Sequence, residues 1–242
     1  MKKKKILSIL AVLTLSFGML LPALATKTTK APKQPLQSAE AMQQGDIVRA
    51  QYPKKYTQTY IAGIKDEYKV VGKDEIFYVA LDMLKGTNGD FSRKAILGNN
   101  LTLKPVKIEF KDLGTINKNY QSFDALGWKR GSRLYIYVSQ RHADAPAIAI
   151  AALLSHEALH QDEYNSLSEE TYAWTMEAAV WCELLELNPN ENLPLQPLVV
   201  RENTIKKLFE KGEYTNKYIK KTVYSNPGYQ NLPEASPGFE AL

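Results

Sequence analysis

Residues 147–170 read AIAIAALLSHEALHQDEYNSLSEE, and this stretch decides the fold. Its first nine positions are apolar or small nearly all round, the pattern of a helix buried on every side. The run closes on His156, Glu157 and His160, and its length predicts a helix over 147–161. Asp162 to Asn165 make a short polar connection. A second long helix is expected from about Ser168 to Leu187, with Pro189 just past its end. So short a link folds the second helix back antiparallel, setting its first turn against the last turn of the first.

His156 and His160 leave one face of a helix one turn apart, the spacing at which two ring nitrogens reach one zinc ion. Glu157 projects about 100° round the helix. From there its carboxylate can take a proton from a water on the metal as that water attacks a carbonyl. Zinc at a hydrolytic site takes three protein ligands and keeps one position for water. The residue six beyond His160 is Ser166, so the third ligand falls to a carboxylate. The hairpin offers Glu169 and Glu170. Ser166-Leu167-Ser168-Glu169 fits a capping box, which turns the Glu169 side chain back to the helix start. Glu170 shares a stripe with Ala173, Trp174, Glu177 and Trp181. The expected ligands are therefore His156, His160 and Glu170, with Glu169 an alternative. Glu177, about 10 Å further along the helix axis, is either a weaker ligand candidate or a group that orients a ligand histidine.

Outward from this hairpin the chain reads as α+β. Helices are expected from Asp74 to Lys85, from Ser92 to Leu97 and from Leu198 to Lys211, stopped by Gly86, Gly98 and Gly212. Val106, Ile108 and Phe110 alternate with Lys107, Glu109 and Lys111, and residues 133–139 repeat that two-residue period. The expected architecture is a small, mostly antiparallel sheet packed on the metal helix, with helices before and after it. Residues 46–224 form the folded domain in this reading, and 225–242, with three prolines and two glycines, form an irregular tail.

The start of the chain has the three parts of an export signal: Lys2 to Lys5, an apolar run from Ile6 to Leu21, and Pro22-Ala23-Leu24-Ala25. Residues 1–25 are expected to be removed, and 26–45 to serve as a flexible spacer. Membrane attachment would then come only from an uncleaved signal. The whole chain carries 31 basic and 26 acidic residues; without the four signal lysines the balance is 27 to 26, a net of +1. No concentrated basic face is visible, which argues against a nucleic-acid partner. Cys182 is the sole cysteine, so no intramolecular disulfide exists, and its apolar helical setting marks an inert thiol.

His156-Glu157-Ala158-Leu159-His160 followed by Glu170-Thr171-Tyr172-Ala173 resembles the gluzincin zinc metallopeptidases, including the small single-domain minigluzincins. The resemblance covers roughly residues 104–187. It implies His156, His160 and Glu170 as zinc ligands, Glu157 as general base, and the strand at 133–139 as an edge strand along which an extended peptide binds. Where several gluzincins support a ligand histidine with an aspartate one turn after the glutamate, this chain has Trp174, so that support comes from elsewhere. Tyr172, Tyr164 and His142 are the candidate oxyanion stabilisers. The tail is expected to be disordered; the second possibility is an inhibitory segment lying in the cleft, as in some small relatives.

The functional expectation is a secreted or cell-envelope bacterial zinc peptidase acting on peptides or proteins. Two alternatives stand beside it: a non-catalytic envelope protein built on a structural hairpin, and a zinc amidase acting on cell-wall peptides. Glu157 favours an enzyme, because a structural zinc site has no use for a base between its ligands and usually has four of them.

Overall fold

The structure, a computed structural model, describes residues 56–98, 104–160 and 164–240. The expected signal peptide, the spacer, the first residues of the domain and positions 161–163 of the interhelical connection lie outside the described residues. Three helices come first: α1 (Gln58–Tyr68), α2 (Glu75–Met83) and α3 (Asp90–Leu97). Three strands follow: β1 (Lys107–Lys111), β2 (Ala125–Arg130) and β3 (Arg133–Ser139). Helices α4 (Ala147–Glu157), α5 (Leu167–Leu187), α6 (Pro197–Lys211) and α7 (Lys217–Ser225) complete the α+β fold.

Helix α4 is the centre of the packing. All eleven of its residues are buried, which explains its lack of an amphipathic period. Alanines at 147, 149, 151 and 152 let neighbouring elements approach its backbone closely. Ile148, Ile150, Leu153 and Leu154 fill the remaining space, each contributing about 1.5–3 kcal/mol of burial. Around it pack α2, α3, α5, α6 and β2. The helix is shorter than the sequence suggests. It stops at Glu157, and His160 sits in a tighter turn beyond it, its N–H bonded to the Glu157 carbonyl at 3.3 Å.

The sheet corrects two expectations. Its strand order is β1-β3-β2, with β3 parallel to β1 and antiparallel to β2, so it is mixed. The strand at 133–139 is thus the middle strand and not an edge; β1 and β2 hold the two edges. The chain crosses over β3 between β1 and β2, a non-local choice that strand periodicity does not encode. Strand β2 escaped the sequence reading because its apolar residues come first and its basic residues last, without alternation. It joins β3 through a two-residue turn in which Gly131 takes a φ of 63°, a conformation that glycine adopts without strain.

As far as Glu240, the last described residue, the tail packs against the fold and is not disordered. Pro227–Tyr229 form a short turn, and Tyr229 is buried at 1% exposure. Further on, Ser236 bridges to Phe239, and the Phe239 ring meets Tyr172 of α5 at 5.8 Å. Proline and glycine remove regular structure here, but the aromatic residues still anchor the segment to α5.

Two glycines predict opposite responses to alanine. A Cβ at Gly72 would come within 2.5 Å of the Ile108 carbonyl oxygen, where the chain runs against β1. Gly72→Ala is expected to destabilise the protein by about 1–3 kcal/mol in chemical denaturation. Gly63 lies in α1 with open space around it, so Gly63→Ala should stabilise by about 0.5–1 kcal/mol. Equal effects from the two substitutions would contradict this packing.

Candidate metal centre

The α4–α5 hairpin brings His156, His160 and Glu170 together. One ligand atom from each residue lies within 4.8 Å of the others. His156 Nε2 is 3.7 Å from Glu170 Oε2, and His160 Nε2 is 3.8 Å from Glu170 Oε1. Ligands at about 2.1 Å from a tetrahedral ion stand ~3.4 Å apart, so these gaps suit one small cation. The three residues form a buried group able to hold a metal ion.

The hydrogen-bond accounting points the same way. Exposure is 0% for His156 and Glu170, 2% for Glu157 and 4% for His160. Among the described residues, His156 Nε2, His160 Nε2, Glu170 Oε2 and both Glu157 oxygens are buried without a hydrogen-bond partner. Each such atom costs about 1–3 kcal/mol when left unpaired. Five of them on four neighbouring side chains is a poor way to build a core and a good way to build a cation site. A cation bound by the two nitrogens and the Glu170 carboxylate would satisfy three of the five.

The other ring nitrogens explain why these faces meet. His156 Nδ1 lies 3.0 Å from Glu177 Oε2, and His160 Nδ1 lies 2.8 Å from Glu169 Oε1. A carboxylate at Nδ1 fixes the tautomer that leaves Nε2 free to bind metal. Glu177 thus sits on the Nδ1 side of His156 and Glu169 on the Nδ1 side of His160, and the Glu169 side chain is not folded back to the helix start. Ser166 does cap the Glu169 N–H at 3.1 Å, but the Glu169 carboxylate turns to His160 and Ser236. The Ser166 N–H that a folded-back Glu169 would serve is already taken by Asn165 Oδ1 at 2.7 Å, which leaves the Glu169 carboxylate for the buried imidazole. Asn165 steadies the ligand itself, its amide donating to Glu170 Oε1 at 2.7 Å.

Behind Glu177 stands a residue the sequence reading missed. Arg201 of α6 grips both Glu177 oxygens through its Nη1 and Nη2 groups. Its Nε lies 3.1 Å from Asp124 Oδ2, and Asp124 in turn pairs with Arg141 and His142. Burial works against the Glu177 charge, but Arg201 and His156 outweigh it and hold its pKa well below the ordinary value. Burial and the charge of Glu177 push Glu202 far above the carboxylate range, so it stays protonated beside them. One signal was available: Leu198, Val199, Ile205 and Phe209 define the buried stripe of α6, and Glu202 falls inside it. A carboxylate there announces a buried polar partner.

Glu157 occupies the remaining side of the group. Burial raises its pKa to about 7, against the lowering effect of the two histidines. With His160 it borders a cavity of about 10 Å³, walled by Trp128, Leu134 and Tyr135, which is room for about one water. None of the three oxyanion candidates lines the cavity beside Glu157. Tyr164 and Tyr172 are surface-exposed, and His142 is occupied by Asp124 at 2.7 Å. Cys182 is half-buried with its thiol pushed up to about 11 by burial, as expected of an inert residue.

Comparison of the chain with protein-family models, with curated proteins and with solved structures returns no match. What stands is an α+β protein with a buried two-histidine, one-glutamate group at a helical hairpin.

This geometry predicts a coupling between metal and protons. Burial disfavours the charged form of His160, but Glu170, Glu169 and Glu157 outweigh it and raise its pKa from 6.5 to about 9. A raised pKa means that protonated His160 stabilises the metal-free fold below about pH 6.5, and that this contribution is lost as pH rises through about 9. A metal must displace that proton. At pH 8, binding of one zinc ion is expected to release about one proton, measurable by calorimetry in buffers of different ionisation enthalpy. Affinity should climb about tenfold per pH unit toward pH 9 and then level. Binding without proton release would contradict the assignment of His160.

Proposed function

We propose that the protein is an exported zinc metallopeptidase, with His156, His160 and Glu170 as the ligands and Glu157 as general base. The observation that carries this reading is the pairing of the ligand group with Glu157, whose two buried oxygens lack a partner and border a one-water cavity. Two imidazoles and one carboxylate form a donor set typical of hydrolytic zinc, with one coordination position left for water. Zinc held there by His156, His160 and Glu170 would supply Lewis acidity toward a water and a peptide carbonyl. Glu157 would accept the proton of the attacking water and return it to the departing amine nitrogen. Glu169 and Glu177 hold the two imidazoles at the tautomer and angle this requires. Export rests on the Lys2–Ala25 sequence pattern, and the substrate class on the resemblance to gluzincins. A cell-wall peptide amide would undergo the same steps.

One observation favours the non-catalytic reading. The ligands are buried, and a cavity of about 10 Å³ admits water but no peptide. Peptide cleavage thus requires Trp128, Leu134 and Tyr135, on the β2–β3 hairpin that walls the cavity, to move aside. A metal that only stabilises the fold requires no such opening.

Zinc content by mass spectrometry, with cleavage of a mixed peptide library, separates the two. The enzyme reading predicts one zinc per chain, lost or weakened in Glu170→Ala. It predicts full zinc in Glu157→Gln, with cleavage reduced about 10²–10⁴-fold. Zinc binding without cleavage of any peptide or cell-wall amide would leave a structural metal site, and no zinc after loading would remove both.

A further inference from the structure

The C-terminal segment reaches the metal centre from behind. At the start of α5 four backbone N–H groups lack partners within the helix. Leu167 N–H donates to the Pro233 carbonyl at 2.9 Å and Ser168 N–H to the Glu234 carbonyl at 3.0 Å. The other two, Ser166 and Glu169, donate to the Asn165 side-chain oxygen and the Ser166 hydroxyl. Half of the cap on the turn that carries Glu169 and Glu170 therefore comes from residues more than sixty positions away.

The side chains close the arrangement. Ser236, 7% exposed, donates its hydroxyl to Glu169 Oε2 at 2.8 Å, and its Oγ lies 3.0 Å from Ser166 Oγ. Since a hydroxyl has one proton, Ser166 must be the donor to Ser236. The result is a ring: Glu169 N–H to Ser166, Ser166 to Ser236, and Ser236 back to the Glu169 carboxylate. Each Glu169 oxygen then has one partner, His160 on Oε1 and Ser236 on Oε2. Further back, the Tyr229 hydroxyl accepts from Trp174 Nε1 at 3.2 Å, and burial together with the Glu170 charge keeps that phenol protonated.

We propose that the C-terminal segment is part of the metal centre, and that Ser236 is a positioning residue which holds His160 through Glu169. Without the Ser236 hydroxyl, Glu169 Oε2 is a buried carboxylate oxygen with no donor, and the carboxylate is free to turn away from the His160 N–H. The segment lies at the back of the ligands: none of its residues lines the cavity beside Glu157. It supports the site and does not plug it. The proposal rests on the reading of His156, His160 and Glu170 as metal ligands.

The test is the zinc dissociation constant of the full chain, measured by competition with a chromophoric chelator, for Ser236→Ala, Ser236→Thr and Phe239→Ala. Loss of a group that holds a metal-bound histidine costs about 10–100-fold in metal affinity. Acting one bond further out, Ser236→Ala is expected to weaken zinc binding about tenfold, and Ser236→Thr, which keeps the hydroxyl, to stay within about twofold of wild type. Phe239→Ala loosens the tail from Tyr172 without touching the ring of hydroxyls. It should lower the melting temperature and leave the affinity within about twofold. Should Ser236→Ala fail to fold, Ser236→Cys keeps the size with a weaker donor and should weaken binding by a smaller factor. Ser236→Ala or Ser236→Cys at wild-type affinity, or Ser236→Thr as weak as Ser236→Ala, would overturn the proposal alone. A wild-type chain that takes up no zinc would instead overturn the metal-site reading beneath it.

Discussion

Everything around the α4–α5 hairpin depends on one constraint: two imidazoles and two carboxylates are buried with their metal-facing atoms unpaired. Removing such groups from water costs several kcal/mol in total unless something compensates. The fold compensates at every atom that does not face the centre. Each Nδ1 meets a carboxylate, Asn165 donates to Glu170, and Ser236 donates to Glu169. Five buried atoms without a hydrogen-bond partner, on His156, Glu157, His160 and Glu170, remain side by side, where a cation would satisfy the three on His156, His160 and Glu170 at once.

The same constraint explains the uneven distribution of charge in the interior. Glu177 cannot be buried as an anion on the support of His156 alone, so Arg201 is drawn in from α6. Arg201 is buried in turn, and Asp124 comes from the start of β2 to meet it. Breaking such a buried set by removing one member is strongly destabilising, because it strands the opposite charge. Elements far apart in sequence are therefore tied to the metal centre through a chain of ion pairs. The start of β2 contributes Asp124 and α6 contributes Arg201, while the C-terminal segment is tied in by hydrogen bonds from Pro233, Glu234 and Ser236. Of the three clustered residues only His156 lies on α4, within its fully buried last turn.

The parts of this protein that follow local rules were legible in the sequence. The His156–His160 spacing, the buried helix before it and the antiparallel hairpin that selects Glu170 are all short-range consequences of helix geometry. Glu169 shows where such rules end. The capping pattern correctly foretold the Ser166 hydroxyl on the Glu169 N–H, but the carboxylate went to a buried imidazole that only tertiary packing brings near. Arg201 and Asp124 were illegible for the same reason, since Arg201 meets Glu177 across 24 positions and Asp124 meets His142 across 18. Strand β3 alternates cleanly, yet alternation says which face is buried and nothing about which strands flank it, so its middle position came only from the structure. The tail was misread because proline and glycine report the absence of regular structure and not the absence of contacts.

The most direct test of the metal assignment is a crystal structure of the zinc-loaded protein with anomalous data at the zinc edge. The account predicts a single strong peak within about 2.0–2.2 Å of His156 Nε2, His160 Nε2 and a Glu170 oxygen, with Glu157 outside bonding distance. It also predicts that Glu169 and Glu177 remain on the Nδ1 atoms. A peak bound by Glu169 or Glu177 in place of Glu170, or no peak at the hairpin, would contradict it.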